Sequence, residues 1–291
     1  MKELYRRVFK PHQRQAIYEG RQRLYQVALV CGKGMVNVLP YRLKVFLKEH
    51  LKIKHSLDYA KGLILIDVSS AMERNVRTRS CAKEPETIAW IEEFFHEGDV
   101  IWDIGANVGA YSLVAAKYLQ NKARIFAFEP SFLNYSQLCR NISLNNMGGT
   151  ITPLNIALSG RTGFDYFNYH NFEVGGALHA FGNAVDFKNE HFESVFKQNM
   201  MSFTGDDLIR IFDLPVPAHI KLDVDGIELD ILKGAVKVLS DVKVKSILVE
   251  IDDNDMSIKD FLNQCGFKEH ARYSQGIHNS LYNYIFKKGQ S

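Results

Sequence analysis

Ile101-Trp102-Asp103-Ile104-Gly105-Ala106-Asn107-Val108-Gly109 runs directly into Ala110-Tyr111-Ser112-Leu113-Val114-Ala115-Ala116. An apolar strand, a glycine turn and a helix follow one another without a gap. The glycines at 105 and 109 open the turn, where a β-carbon would block close approach or forbid the dihedrals. Such a unit holds a nucleoside-bearing cofactor against the loop backbone. A second apolar strand, Arg124-Ile125-Phe126-Ala127-Phe128, ends on Glu129. A carboxylate there is placed to accept hydrogen bonds from ribose hydroxyls.

The glycine spacing separates two cofactor classes. A dinucleotide fingerprint reads G-x-G-x-x-G, and its second glycine lets the backbone approach a pyrophosphate. This chain reads D-x-G-x-x-x-G from Asp103 to Gly109, with Ala106 and Asn107 where that glycine would fall. S-adenosylmethionine carries no phosphate, so the looser turn is sufficient. The unit is read as an S-adenosylmethionine site, and a nicotinamide dehydrogenase is disfavoured.

Outward from this point, strands and helices alternate: 100–104 then 110–119, 124–128 then 131–144, 151–155, 218–223 then 228–239, and 244–251 then 256–265. A strand at about 281–286 closes the pattern. The alternation predicts a doubly wound, mostly parallel sheet, with ligands bound at the strand C-termini. Asp103, Glu129, Asn155, Asp223 and Glu250 all fall near such ends. Upstream, 63–69 reads as a strand and Ile88–Phe95 as a helix, with Glu84 or Thr87 as its cap and Pro85 in its first turn. Residues 160–217 interrupt the alternation, and an insertion of that size is the candidate acceptor-binding region.

Several segments together resemble the FkbM-type S-adenosylmethionine-dependent methyltransferases. They are Glu84-Pro85-Glu86-Thr87, Asp103 to Gly109, Phe128-Glu129-Pro130-Ser131, Asn155-Ile156-Ala157-Leu158, and Ile220-Lys221-Leu222-Asp223-Val224-Asp225-Gly226-Ile227-Glu228 with Leu232-Lys233-Gly234-Ala235. The similarity spans about 57–287. It implies an α/β, Rossmann-like class I methyltransferase with a seven-stranded, mostly parallel sheet whose last strand is antiparallel. It also implies O-methylation of a hydroxyl on a sugar, glycan or other secondary metabolite. By position, Gly105, Ala106 and Asn107 line the methionine side of the cofactor, and Asp103 and Gly109 are counted with them as cofactor-binding residues. Glu129 lies at the ribose, Ile156 and Ala157 beside the adenine, and Glu86 and Thr87 over the cofactor, with Pro130 also counted among the cofactor-binding residues. The competing reading is a non-catalytic scaffold of the same fold, or a membrane-associated binding protein. It would more naturally have lost Asp103 or Glu129.

Methyl transfer to an alkyl hydroxyl needs a positioned acceptor and a group that takes its proton. Asp223, which ends the fourth strand of the alternation, is the first candidate for base or orienting residue and also borders the cofactor. Asp225 is next. Glu228 is read as a first-turn helix residue suited to the dipole. His179 and His191 in the insertion are the imidazoles that could serve as base, against the commoner role of a surface histidine, and His179 is taken as the third catalytic candidate. A divalent metal at strand-end carboxylates is possible in this fold but not favoured, and no residue is assigned to one.

Hydrophobic content of 46% and charged content of 24% fit a globular protein. Cys31, Cys81, Cys139 and Cys265 have no metal-ligand spacing and read as free thiols. Neither a secretory signal nor an apolar stretch of ~20 residues appears, so the cytoplasm is the expected location. The domain division expected is 1–55, a basic helical extension, and 56–291, the catalytic domain. Residues 1–61 hold 14 Lys and Arg against 4 Asp and Glu, while the remainder holds 22 against 29. Such an arm suits an anionic partner, a peripheral membrane contact or a homodimer. It lacks the interleaved stacking aromatics of a nucleic-acid arm, and none is expected to bind. Within it, helices are expected over Arg14–Val30, stopped by Gly32 and Gly34, and over Arg42–Ile53.

Overall fold

Strands buried on both faces read as continuous apolar runs, and the runs at 100–104, 124–128 and 244–251 are of that kind. In a computed structural model of the protein they form the middle of one sheet. The structure describes residues 31–184, 191–275 and 280–289. The strands in chain order are β1 (Lys54–Ser56), β2 (Leu65–Asp67), β3 (Val100–Ile104), β4 (Arg124–Phe128), β5 (Ile151–Leu154), β6 (Ala157–Leu158) and β7 (Gly163–Tyr169). They continue with β8 (Ala180–Phe181), β9 (Phe196–Phe203), β10 (His219–Leu222), β11 (Ser246–Asp252), β12 (Phe267–Ser274) and β13 (Leu281–Lys288).

Seven strands make the main sheet, in the order β12-β13-β11-β10-β3-β4-β5. The five from β11 to β5 are parallel. The last strand, β13, runs antiparallel to both β11 and β12. The expected architecture is therefore present. The chain leaves β3 toward β4 on one side and returns later to β10 on the other. That reversal opens a crevice at the C-terminal ends of β3 and β10.

Helices cover both faces. Trp90, Ile91, Leu113, Val114 and Leu138 pack on one side with Ile101 and Ile125. Trp102, Ile104, Ile231, Leu239, Ile258 and Leu262 pack on the other. Pro85 occupies the first turn of the helix Pro85–Phe94, but its N-cap residue Glu84 makes no side-chain cap bond. The Glu84 carboxylate is used otherwise, by Lys83 Nζ at 2.8 Å and Thr87 Oγ1 at 3.3 Å.

Four expectations need correction. The helix expected over 228–239 is two, Glu228–Lys233 and Val236–Ser240. Gly234, at the break, sits so close to the neighbouring loop that a Cβ would meet the Ser159 carbonyl oxygen at 2.7 Å. Strand β12 went unread because it is an edge strand with most side chains exposed, so it shows no apolar period. Its register shifts between Glu269 and Ala271, and charges and a bulge are common protections of an edge. The polar stretch after residue 69 carries a helix, Ala71–Asn75, started by a Ser70–Glu73 capping box. The strand read at 63–69 is confined to Leu65–Asp67.

The insertion supplies three strands of a second sheet, which β6 just before it completes, ordered β6-β9-β7-β8 with β7 and β9 antiparallel. Contacts divide the chain into two compact units between Lys52 and Ile53. In the first, residues 31–38 and Tyr41–His50 are helical. Gly32 and Gly34 therefore do not stop a helix. A helical glycine costs only about 1 kcal/mol, which neighbouring residues can outweigh. The expected helix over Arg14–Val30 lies outside the described residues. No helix among the described residues is long and apolar enough to cross a membrane.

Candidate active site

Gly105 has φ +85°, and a Cβ there would overlap the backbone carbonyl oxygen of Asp223. The glycine thus serves two needs at once: a left-handed turn, and close packing of the β3 loop against the end of β10. Gly105 and Ala106 both donate their N–H groups to the Phe128 carbonyl, each at 3.0 Å. This bends the loop over the end of β4. Asn107 follows with φ 50°, a conformation asparagine tolerates. Its backbone N–H meets Glu129 Oε2 at 2.7 Å.

Glu129 is buried, and its other oxygen accepts the Ser131 N–H at 2.9 Å. Burial raises its pKa to about 7, against the lowering by those two N–H groups. Asn155 reinforces the corner by donating to the carbonyls of Glu129 and Pro130, at 2.8 and 3.0 Å. The carboxylate is therefore held in one orientation, with acceptor capacity left on each oxygen.

At the end of β10 the chemistry changes. Lys221 points inward from an otherwise apolar strand, its side chain only 4% exposed, and donates to Asp223 Oδ2 at 2.5 Å. Burial alone would raise the Asp223 pKa, but the Lys221 ammonium outweighs it and the net shift is downward. Asp223 stays ionised. Lys221 also stands over the Tyr111 ring, 4.8 Å from its centroid. The Asp103 carboxyl accepts from Ser112 Oγ at 2.5 Å, and its second oxygen is buried without a hydrogen-bond partner among the described residues. Burial raises the Asp103 pKa against the pull of Lys221.

Three further carboxyls crowd the same end of the sheet. Burial lifts Asp225 to about 6, with Asp223 adding to the effect, while backbone N–H groups of Leu178 and His179 oppose it. Burial lifts Glu228 to about 8 and Glu250 to about 8. Burial is the largest cause for all three, and the neighbouring carboxylates push in the same direction.

The insertion supplies the opposite wall. Its Gly175–Gly176 turn is tied to the cofactor side by Asn107 Nδ2 to the Gly176 carbonyl at 2.9 Å and by Asn134 Oδ1 from the Gly175 N–H at 2.8 Å. Arg77 donates to the Gly175 carbonyl from Nε and Nη2, at 2.9 and 2.7 Å. His179 is buried, and burial lowers its pKa to about 4. Its Nδ1 accepts the His170 N–H at 3.3 Å, so the neutral ring carries its proton on Nε2. Leu178 has φ 63°, a strained position for this residue type and one often found at functional sites.

These parts enclose a cleft of about 400 Å³, within the usual range for small-molecule sites. Of the residues singled out in the sequence, it gathers Gly105, Asn107, Glu129, Pro130, Ile156, Ala157, Asp223, Asp225 and His179. Asp103, Ala106, Gly109, Glu86 and Thr87 are not on its wall. Gly109 turns the chain into the helix Ala110–Tyr118 with φ 87°. Glu86 binds Gln275 Nε2 and Asn283 Nδ2, at 2.9 and 2.8 Å. Gln275, unlike Glu86, lines the cleft. Reading the sequence missed Arg77, Lys83, Lys221 and Phe181. Lys221 had a signal, because a lysine inside a buried strand needs a counter-charge. Arg77 and Phe181 had none in their local pattern. Among the described residues, no group of three or more His, Cys, Asp and Glu is arranged to hold a metal ion.

Comparison with known proteins identifies the family. The family model described as the methyltransferase FkbM domain matches residues 103–269, more than half of the chain. Over 181 residues the chain is 28% identical to the hexuronic acid methyltransferase AglP of Haloferax volcanii, covering 62% of this chain and 67% of that protein. Over 160 residues it is 29% identical to the methyltransferase sdnD of Sordaria araneosa, covering 46% of this chain and 59% of that one. A crystal structure of methyltransferase FkbM from Methylobacillus flagellatus aligns with a TM-score of 0.46 and 18% identity, over 66% of this chain and 44% of the other. The chain thus spans about two thirds or less of the length of these proteins.

Proposed function

The chain belongs to the FkbM methyltransferase family, and we propose that it is an S-adenosylmethionine-dependent O-methyltransferase acting on a hydroxyl of a sugar, glycan or other secondary metabolite. The observation that carries this reading is Glu129, fixed at the end of β4 by two backbone N–H groups and open to the cleft. A carboxylate so held suits the two hydroxyls of a ribose. The name of the Haloferax volcanii relative supports a sugar acceptor.

The residues fit S-adenosylmethionine on the grounds of charge and shape. Gly105 and Asn107 would border its methionine portion, Glu129 its ribose, and Pro130, Ile156 and Ala157 its adenine. When bound, this cofactor supplies a methyl group on a positively charged sulfur. The carboxyl-rich end of β10 is suited to such a charge. Asp223, kept ionised by Lys221, would accept a hydrogen bond from a hydroxyl of the acceptor next to the one methylated and so orient the acceptor. Asp225 would assist from the adjoining turn. His179 would present Nε2–H as a donor to the acceptor. No step is assigned to a metal. The helix Tyr41–His50 has no buried residue, and exposes Tyr41, Leu43 and Phe46 among Arg42, Lys44 and Lys48. Those features support contact with an anionic surface.

Calorimetric titration with S-adenosylmethionine and with NADH tests the cofactor. Saturable binding of the first, weakened at least tenfold in Glu129→Ala, is expected. No binding by folded protein refutes the reading.

A further inference from the structure

Glu250 leaves β11 beside Asp223. The β10–β11 register pairs Leu222 with Val249, so these two carboxylates follow at the same level on adjacent parallel strands. Both line the cleft. They are provided for very differently. Asp223 accepts from Lys221, Glu84 from Lys83 and Thr87, and Glu129 from two backbone N–H groups. Asp225 is held by the backbone of Leu178 and His179, and Glu228 by the Gly226 N–H at 3.4 Å. Among the described residues, the Glu250 side chain makes no hydrogen bond and no ion pair. It is a carboxyl in the cleft with its full acceptor capacity unspent.

We propose that Glu250 takes the proton of the acceptor hydroxyl, and that the positive charge of the bound methyl donor is what frees Glu250 of its own proton beforehand. The inference rests on the methyltransferase reading above.

The electrostatics support both halves. Burial raises the Glu250 pKa to about 8, and Asp223, Glu84 and Asp225 raise it further, with Lys83 opposing them. Glu228 faces it from the start of the helix that follows β10. In the cofactor-free protein Glu250 therefore holds a proton at neutral pH and cannot act as a base. One positive charge brought within ~4–6 Å lowers a carboxyl pKa by about 1–3 units, which is enough to ionise Glu250 near neutrality. The alternatives are weaker bases. Lys221 depresses Asp223, and His179 carries its proton on the nitrogen left free by His170.

The step balances. The acceptor oxygen uses a lone pair to form the O–CH3 bond. Its proton passes to the Glu250 carboxylate. The S–CH3 bonding pair stays on sulfur, which becomes a neutral thioether. One positive and one negative charge disappear together, so the buried cluster is never left with an uncompensated change.

The test needs no acceptor. Purified full-length protein is titrated at pH 7 with S-adenosylmethionine, and separately with the neutral-sulfur product S-adenosylhomocysteine, in buffers of differing ionisation enthalpy. The charged compound is expected to release more protons than the neutral one, by a large fraction of one proton. Glu250→Gln is expected to abolish that difference while still binding both. By linkage, the affinity of the unaltered protein for the charged compound should increase as pH rises toward 8, by up to about tenfold per pH unit, and affinity for the neutral compound should increase less. This arm stands even if the variant fails to fold. Equal proton release for the two compounds, or a difference that survives Glu250→Gln, overturns the inference and leaves the methyltransferase reading intact. Absence of any S-adenosylmethionine binding overturns both. With an acceptor in hand, Glu250→Gln should lower kcat by about 10²–10⁴-fold and remove the acidic limb of the pH–rate profile.

Discussion

Lys221→Met tests whether the ammonium inside β10 is what organises the site. The side chain is 4% exposed and lies 2.5 Å from Asp223 Oδ2. Asp103, whose second oxygen has no hydrogen-bond partner among the described residues, also feels its charge. Methionine nearly fills the same volume, so the cavity contribution is small. What remains is the uncompensated negative charge. Removing one partner of a buried ion pair costs about 3–5 kcal/mol. Asp223 opens to the cleft, its side chain 38% exposed, so the lower end of that range is expected. The pH dependence gives a second check. In the natural protein Asp223 has a lowered pKa, so its contribution is present above the ordinary carboxylate range and is lost as pH falls through the folded value. In the variant Asp223 is left to burial, which raises its pKa, and it protonates in the folded state as pH falls. The gap between the two proteins should therefore narrow from pH 7.5 to pH 5. Urea unfolding at both pH values measures it, with equal slopes required. A variant within 1 kcal/mol of the natural protein at pH 7.5, or a gap that does not shrink on acidification, would refute the reasoning.

A matched glycine pair separates backbone strain from contact. Gly98 and Gly105 have φ of +86° and +85°, but a Cβ at Gly98 meets nothing within 4 Å. Gly98→Ala is expected to cost about 1 kcal/mol, and Gly105→Ala at least twice that together with S-adenosylmethionine binding, both read by thermal melts and calorimetry. His219 is buried between Asp99 Oδ2 at 3.1 Å and Ser246 Oγ at 2.7 Å. Burial lowers its pKa, and hydrogen bonds from His219 and Lys245 lower that of Asp99 despite burial. Both groups bind fewer protons folded than unfolded, so melting temperature should fall as pH drops below about 6.5, and fall less steeply in His219→Phe. Methyl transfer should survive an excess of chelator, since Asp223 is already committed to Lys221. Loss of activity on chelation, restored by Mg²⁺, would overturn the metal-free assignment.

How far the sequence could be read follows from what kind of information each element carries. The strands β3, β4, β10 and β11 are buried on both faces, so their apolar runs mark them wherever they lie. The turn at Gly105 to Gly109 is set by dihedrals that few residues accept, and it too is local. Glu129 and Asp223 could be placed because the end of a parallel strand is where the fold exposes side chains to a ligand. Strand β12 carried no such mark, being exposed along most of its length. The insertion could be recognised as an interruption of the pattern, but not as three strands of a second sheet.

Partnership is the part that no periodicity encodes. Glu86 and Thr87 follow the resemblance in sequence, yet the fold gives Glu86 to Gln275 and Asn283, 189 and 197 positions away. Gly175 and Gly176 reach Arg77, Asn107 and Asn134 only because the insertion folds back over the β3 loop. Local sequence determined which segments are strands, where the chain turns, and which carboxylates stand at strand ends. The tertiary structure alone decided which of those carboxylates found a cation or an N–H group and which, like Glu250, did not. Burial and the summed field of groups distant in sequence govern a carboxyl's proton, and both exist only once the chain has closed around it.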